Sequence, residues 1–270
     1  MTLASRVVLA CSAAALACSV GATGSAAQGL GIDFSQWQIG GMVVVAPKYE
    51  GSKSYDALGF PLLIPGGMDE GGRFSVKGID DVRFRLLSLY GFEVGPVAGY
   101  RFGRDESDGD RLTGLGDIDG GLVLGGYVGY RAGTFLASAS YGHQVTGDDD
   151  AGALLRFGIE NKYRLSRSLT VTPGLGATWA DGDYMSTYFG VPTAKATATR
   201  SAFDADAGFK DVNMSLSADL ALDDRWTLKM MGKYSRLIGD AADSPVVETE
   251  NQFFGGLGLT YRFSVGGTGR

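Results

Sequence analysis

"NQFFGGLGLTYRF", residues 251–263, sets Phe253, Leu257, Leu259, Tyr261 and Phe263 on alternate positions, with Phe254, Gly256, Gly258, Thr260 and Arg262 between them. A period of two is the mark of a β-strand, whose successive side chains point to opposite faces. In a soluble protein the greasy face would be buried and the other wet; in a membrane barrel the greasy face meets lipid and the small face lines the interior. The stretch alone fits both.

Other segments follow the same rule. "WTLKMMGKYSRL" (226–237) opposes Trp226, Leu228, Met230 and Tyr234 to Thr227, Lys229, Met231, Lys233 and Ser235. "VNMSLSADLAL" (212–222) and "LTVTPGLGATW" (169–179) alternate alike, and "LLRFGIENKYRL" (154–165) sets Arg156, Glu160, Lys162 and Arg164 opposite Leu155, Phe157, Ile159, Tyr163 and Leu165. A face of Arg, Glu, Lys and Arg is too polar for a protein core and suits a wet barrel lumen. Seven looser candidates precede these: "WQIGGMVVV", "LGFPLLI", "GRFSVKG", "VRFRLLSLY", "FEVGPVAGYRF", "IDGGLVLGGYVGY" and "FLASASYGHQV". With the five above, about twelve strands are expected.

The connections alternate in kind. "LSRS", "LDDR" and "RAG" are tight, whereas "GRDESDGDRLTGLGD", "TGDDDAG", the stretch from 181 to 208 and "GDAADSPVVETE" are long and mostly acidic. Short turns at one end and long loops at the other fit an antiparallel transmembrane β-barrel with short periplasmic turns and long extracellular loops. The short junction "IDD" (79–81) has to serve as an external loop in this scheme. Aromatic residues such as Trp37, Tyr90, Tyr130, Trp179, Trp226 and Tyr261 fall mostly near strand ends, where amphipathic rings sit at a membrane interface.

Composition is consistent with this all-β reading. Gly accounts for 43 of 270 residues without a collagen period, which disfavours long helices. No run of 18 apolar residues follows the N-terminal region, so no transmembrane helix is expected. That region, "MTLASRVVLACSAAALACSVGATGSAAQG", has Arg6, an apolar run and small residues ending at Ala27, and reads as a Sec-type signal peptide over 1–27 cut after Ala27. A barrel domain over 28–270 would remain, with 264–270 as a flexible C-terminal tail. Cys11 and Cys18 are the only cysteines, so the mature chain would have no disulfide, thiolate nucleophile or cysteine metal site. Cys18 as an acylated first residue is disfavoured, because Ala15-Leu16-Ala17 lacks the usual aliphatic residue three positions back. Without Arg6, the 24 Lys and Arg become 23 against 30 Asp and Glu, which argues against nucleic acid as a partner.

"APKYEGS" (46–52), "DYMSTYFGV" (183–191), "AGFKDV" (207–212), "SRLIGDAADSPVV" (235–247) and "NQFFGGLGLTYRF" occur in an order and spacing that resemble the MipA/OmpV family of Gram-negative outer-membrane proteins. The resemblance implies location in the cell outer membrane, contact with outer-membrane lipid, and passage through the barrel-assembly machinery, with Tyr261 and Phe263 as its terminal aromatic signal. One family member is a scaffold for a murein hydrolase and a murein synthase; others are linked to adhesion, osmotic response or antibiotic sensitivity. The family has no agreed catalytic residues. Its members commonly stop at the terminal aromatic, whereas seven residues follow Phe263 here.

No enzymatic chemistry is expected. The single histidine, His143, shares parity with Phe135, Ala137, Ala139 and Tyr141, away from Ser138 and Ser140, so a serine–histidine pair within this strand is disfavoured. The acidic loops lack the EF-hand spacing, "GLGDID" (114–119) lacks the third glycine of a dinucleotide fingerprint, and no catalytic, metal or cofactor residues are assigned. Ten basic residues share the inward parity of their strands: Arg83, Arg85, Arg101, Arg131, Arg156, Lys162, Arg164, Lys229, Lys233 and Arg262, with Glu93, Glu160 and Asp219 among them. A cationic lumen favours anions; alternatively, Arg and Glu pair across strands and fill a narrow interior. The resemblance implies a non-enzymatic scaffold tied to murein synthesis; the alternatives are a small-solute channel preferring anions, an adhesin acting through loop 181–208 and, last, a lipid-modifying enzyme.

Overall fold

The computed structural model describes residues 33–66, 73–148 and 151–264; the expected signal peptide, its cleavage point and the tail after Ser264 lie outside them. The chain forms β1 (Asp33–Pro47), β2 (Tyr55–Gly66), β3 (Phe74–Gly78), β4 (Asp81–Phe84), β5 (Leu87–Leu89), β6 (Phe92–Arg101), β7 (Gly121–Ala132), β8 (Phe135–Gln144), β9 (Ala153–Asn161), β10 (Tyr163–Arg164), β11 (Leu169–Ala180), β12 (Gly208–Ala221), β13 (Trp226–Leu237) and β14 (Asn251–Ser264). Two short helices, α1 (Gly182–Phe189) and α2 (Asp240–Asp243), sit in the connections.

All pairings are antiparallel, in the order β2-β1-β14-β13-β12-β11-β9-β8-β7-β6-β4-β3, so the first strand pairs with the last and the sheet curls round. β4 and β5 both pair with β6, and β9 and β10 both lie against β11, so the fourteen strands follow twelve ribbons. β2 and β3 stand at the two ends of this order and are not paired with each other among the described residues. Strands of nine to fifteen residues suffice to cross a bilayer at a tilt.

Burial is inverted relative to a soluble protein. On β7, Leu122, Leu124, Val128 and Tyr130 are exposed on the outer face, while Val123 and Tyr127 are buried within. On β6, Phe92 and Val94 face out, and Glu93 is only 4% exposed. The buried polar set, including Gln38, Arg83, Glu93, Ser140, Gln144 and Thr260, therefore lines the interior, and a continuous apolar surface faces lipid. Aromatic pairs across neighbouring strands mark the rims: Trp226 with Tyr261 and Phe92 with Tyr130, both at 4.9 Å, and Tyr234 with Phe253 at 5.1 Å.

The small face of β14 has a packing role. A Cβ added at Gly256 would lie 2.8 Å from Met231 Cγ, and one at Gly258 would lie 3.1 Å from Met42 Cε, so the glycines make room for methionines from both neighbouring strands. Along β14 the lumen side is thus covered by methionine side chains from its neighbours.

The "IDD" junction departs from expectation. It forms a tight hairpin tip between β3 and β4, held by Tyr100 N donating to Ile79 O at 3.0 Å, and it extends no external loop. The physical reason is charge: Asp80 and Asp81 pair with arginines of the lumen.

Candidate functional site

Short turns such as 133–134 and 222–225 lie at one end of the barrel, which is periplasmic for an outer-membrane protein. The long connections 48–54, 102–120, 181–207 and 238–250, with the described residues 145–148 and 151–152, meet at the other end and pack together. Their core holds Leu112, Met185, Phe189, Val191, Ala241 and Val246, all nearly inaccessible. Polar ties join different loops: Tyr49 OH donates to Val246 O at 3.4 Å, Arg104 Nη1 to Tyr188 O at 2.8 Å, and Arg200 Nη1 to Arg111 O at 2.6 Å. The extracellular mouth thus carries an apolar-cored cap.

α1 anchors this cap. Asp181 is its N-cap, with one carboxylate oxygen accepting from Tyr184 N and the other from Ala153 N at the top of β9, both at 2.9 Å. The helix buries Tyr184, Met185, Tyr188 and Phe189, one face of a helical spacing. Gly152, at φ +73°, passes beneath it, and a Cβ there would meet Tyr184 N at 2.2 Å.

Below the cap lies a chamber of about 530 Å³. Tyr184 and Tyr188 are stacked at 4.4 Å over it, with the Arg101 guanidinium 4.9 Å and the Lys210 ammonium 5.6 Å from the Tyr184 ring centre. A β-bulge supplies one wall. Thr178 pairs with Asp211 but Trp179 pairs with Phe209, so Lys210 is the extra residue and both Lys210 and Asp211 are buried within the barrel. Lys210 Nζ lies 2.6 Å from Glu50 and 3.0 Å from Asp211, and Tyr184 OH donates to Glu50 at 3.0 Å. Burial raises the Tyr184 phenol well above its usual range, and pushes Tyr188 and Tyr49 up to about 12; Glu248 beside Tyr49 adds to that rise. Burial also lowers Arg104 from its usual value.

The basic residues named from sequence are distributed along the barrel. Arg83 makes a two-pronged pair with Asp81, both bonds 2.8 Å, and also donates to Ser138 and Ser140. Arg156 lies 2.5 Å and Arg101 3.7 Å from the same oxygen of Asp80. Arg85 and Arg131 share Glu93 at 3.3 and 2.6 Å, and Lys229 lies 3.2 Å from Asp219. Lys77 of β3 reaches Glu160 of β9 at 2.5 Å, a pair that crosses the lumen. Lys233 lines the chamber, Arg262 lies opposite Gln38 in register, and Lys162 and Arg164 are exposed towards the short-turn end. Tyr261 packs on Trp226, and Phe263 is opposite Trp37 at the end of β14.

Sequence reasoning missed Glu50, Asp80, Tyr184, Tyr188, Lys210 and Asp211. Only α1 left a readable signal, the apolar residues at 184, 185, 188 and 189 after an Asp cap. Ser138 and Ser140 are both engaged by Arg83, while His143 lies on the other face of β8. Among the described residues, no group of three His, Cys, Asp or Glu side chains is placed to hold a metal ion.

The sequence matches a family model described as MltA-interacting protein MipA over residues 39–263. The chain belongs to this family. It is 33% identical over 96 residues to outer membrane protein Omp26La of Vibrio anguillarum, a match covering 36% of this chain and 37% of that protein. It is 34% identical over 93 residues to outer membrane protein OmpV of Vibrio cholerae, covering 34% of this chain and 36% of OmpV. With the MltA-interacting protein of Escherichia coli it shares 26% identity over 153 residues, 49% of this chain and 58% of that one. The matched stretches thus span little more than a third of the first two relatives and somewhat over half of the third. The protein is a MipA/OmpV-type β-barrel of the outer membrane, and the names of these relatives denote no enzymatic activity.

Proposed function

We propose that the protein acts by binding, as a sealed outer-membrane barrel that anchors a murein-processing partner at its periplasmic end. The observation that carries this reading is the cap: five connections share one apolar core over the mouth, and beneath it ion pairs such as Lys77–Glu160 cross the lumen. A mouth so covered is poorly suited to conduct solutes, which weakens the channel reading. Loops committed to a common core are also poorly suited to the freedom of an adhesive loop.

The periplasmic turns are short, but their charge offers a grip. Lys162, Arg164, Arg167 and Arg225 are exposed there against Asp223 and Asp224, while the outer loops are strongly acidic. A cationic rim suits a partner with an acidic face. The name of the Escherichia coli relative, MltA-interacting protein, supports a murein hydrolase as that partner.

The test is capture of a purified lytic murein transglycosylase by the folded barrel in mild detergent. The wild-type barrel retains it, and Arg164→Glu with Arg167→Glu lowers retention while leaving the barrel folded. No retention by the wild type, or equal retention by the charge-reversed variant, would contradict the reading.

A further inference from the structure

The chamber beneath the cap has charge left over. Eight Lys and Arg side chains line it against five Asp and Glu, an excess of three positive charges inside a protein whose whole chain is net negative. The five carboxylates are already taken: Asp81 by Arg83, Asp80 by Arg156, Glu160 by Lys77, and Glu50 and Asp211 by Lys210. Arg101 shares Asp80 only at 3.7 Å, and Lys233, which lines the chamber, forms no ion pair among the described residues.

Hydrogen-bonding capacity is left over at the same place. Arg101 is 6% exposed; its Nη1 donates to the carbonyls of Ala151 and Gly152 at 3.2 and 3.0 Å, but Nε and Nη2 have no hydrogen-bond partner. Arg104 Nε and Tyr188 OH are also buried without one. Buried donors are nearly always paired, so several orphans on residues that line one chamber call for an acceptor that is not part of the chain. The Tyr188 phenol is protonated at neutral pH, and burial raises its pKa further, to about 12, so it remains a donor. Two guanidiniums and a phenol converge from the β6 side and the roof, while Lys233 stands on β13 across the barrel.

We propose that this chamber is a binding site for a small organic oxyanion, carrying a carboxylate or phosphate group held by Arg101, Arg104 and Tyr188 and a body that reaches towards Lys233. Guanidinium forks match both groups geometrically. A space of about 530 Å³ is that of an ordinary small-molecule site. The site is separate from the cationic periplasmic rim and does not depend on the partner proposed there.

The test is calorimetric titration of the full folded protein in detergent with inorganic phosphate, with citrate, and with glucose as an uncharged control. Either or both anions bind and glucose does not; which anion binds distinguishes a phosphate ligand from a carboxylate one. Arg101→Gln weakens binding about tenfold or more, as loss of a charged hydrogen-bond donor does. Lys233→Met, which breaks no ion pair, weakens it while leaving the barrel heat-modifiable, and Arg236→Gln in the exposed pair with Glu250 leaves it unchanged. Absence of binding by either anion, binding of glucose equal to the anions, or undiminished binding in Lys233→Met and Arg101→Gln would each overturn the proposal.

Discussion

Phe189→Ala tests whether the apolar core of the loops holds the cap shut. Phe189 is fully buried at the C-terminal end of α1, among Tyr184, Met185 and the loop residues Leu112 and Val246. Truncating a buried phenylalanine to alanine costs about 3 to 5 kcal/mol, in lost transfer energy and in the cavity left behind. At about 1.4 kcal/mol per decade, the ratio of docked to undocked cap falls by roughly two to three orders of magnitude. The strands keep their own ladders, because Phe189 belongs to the loop cluster and lies in none of the strands. The assay is limited proteolysis of the folded protein in detergent, following cleavage within 181–207. Where opening and closing are fast relative to cutting, the cleavage rate follows the open population and rises by a similar factor. Cleavage at the wild-type rate would refute an apolar-cored cap. Loss of the heat-modifiable barrel would equally refute the separation of cap from barrel.

Three further outcomes follow from the same geometry. Gly152→Ala places a Cβ against the α1 backbone at a positive φ, so it too speeds cleavage in 181–207, and failure to do so would place α1 elsewhere. Leu216→Arg, outward on β12 and 53% exposed to the lipid side, costs about 2 to 4 kcal/mol or blocks insertion, whereas Ser217→Arg on the opposite face is tolerated; equal damage would mean that the faces are reversed. Alkaline pH opens the cap: Tyr49 and Tyr188 ionise near 10 when unfolded but at about 12 when docked, so their contribution is complete below pH 10 and is lost as pH rises towards 12. Phenolate absorbance and loop cleavage should then rise together in that window, and ionisation near pH 10 with the cap still protected would contradict the burial of these rings.

The strands were legible because lipid on one side and a polar lumen on the other enforce a period of two, as in Phe253 to Phe263 and Trp226 to Tyr234. Local breaks in that period were not legible. The bulge at Lys210 turns two consecutive residues inward, and no alternation rule marks where an extra residue will fall. The "IDD" junction was expected to serve as an external loop, and its inward pairing was not legible because Asp80 is matched to Arg156, 76 residues away, while only Asp81 pairs with a near neighbour, Arg83. α1 did carry a local signal, an Asp cap and paired apolar positions, but it stood inside an acidic, glycine-containing stretch that reads as loop. The chamber was least legible of all, since it depends on which cations find partners across the barrel. Parity names the inward residues but says nothing about which of them remain unpaired.

Single-channel recording of the purified wild-type protein in a planar bilayer tests most directly whether the barrel is sealed and works by binding. The capped, ion-paired lumen predicts a quiet bilayer under an applied potential, with no steady conductance step on insertion of folded protein. A stable open level in the wild type, selective for anions or not, would contradict the account and make the protein a channel.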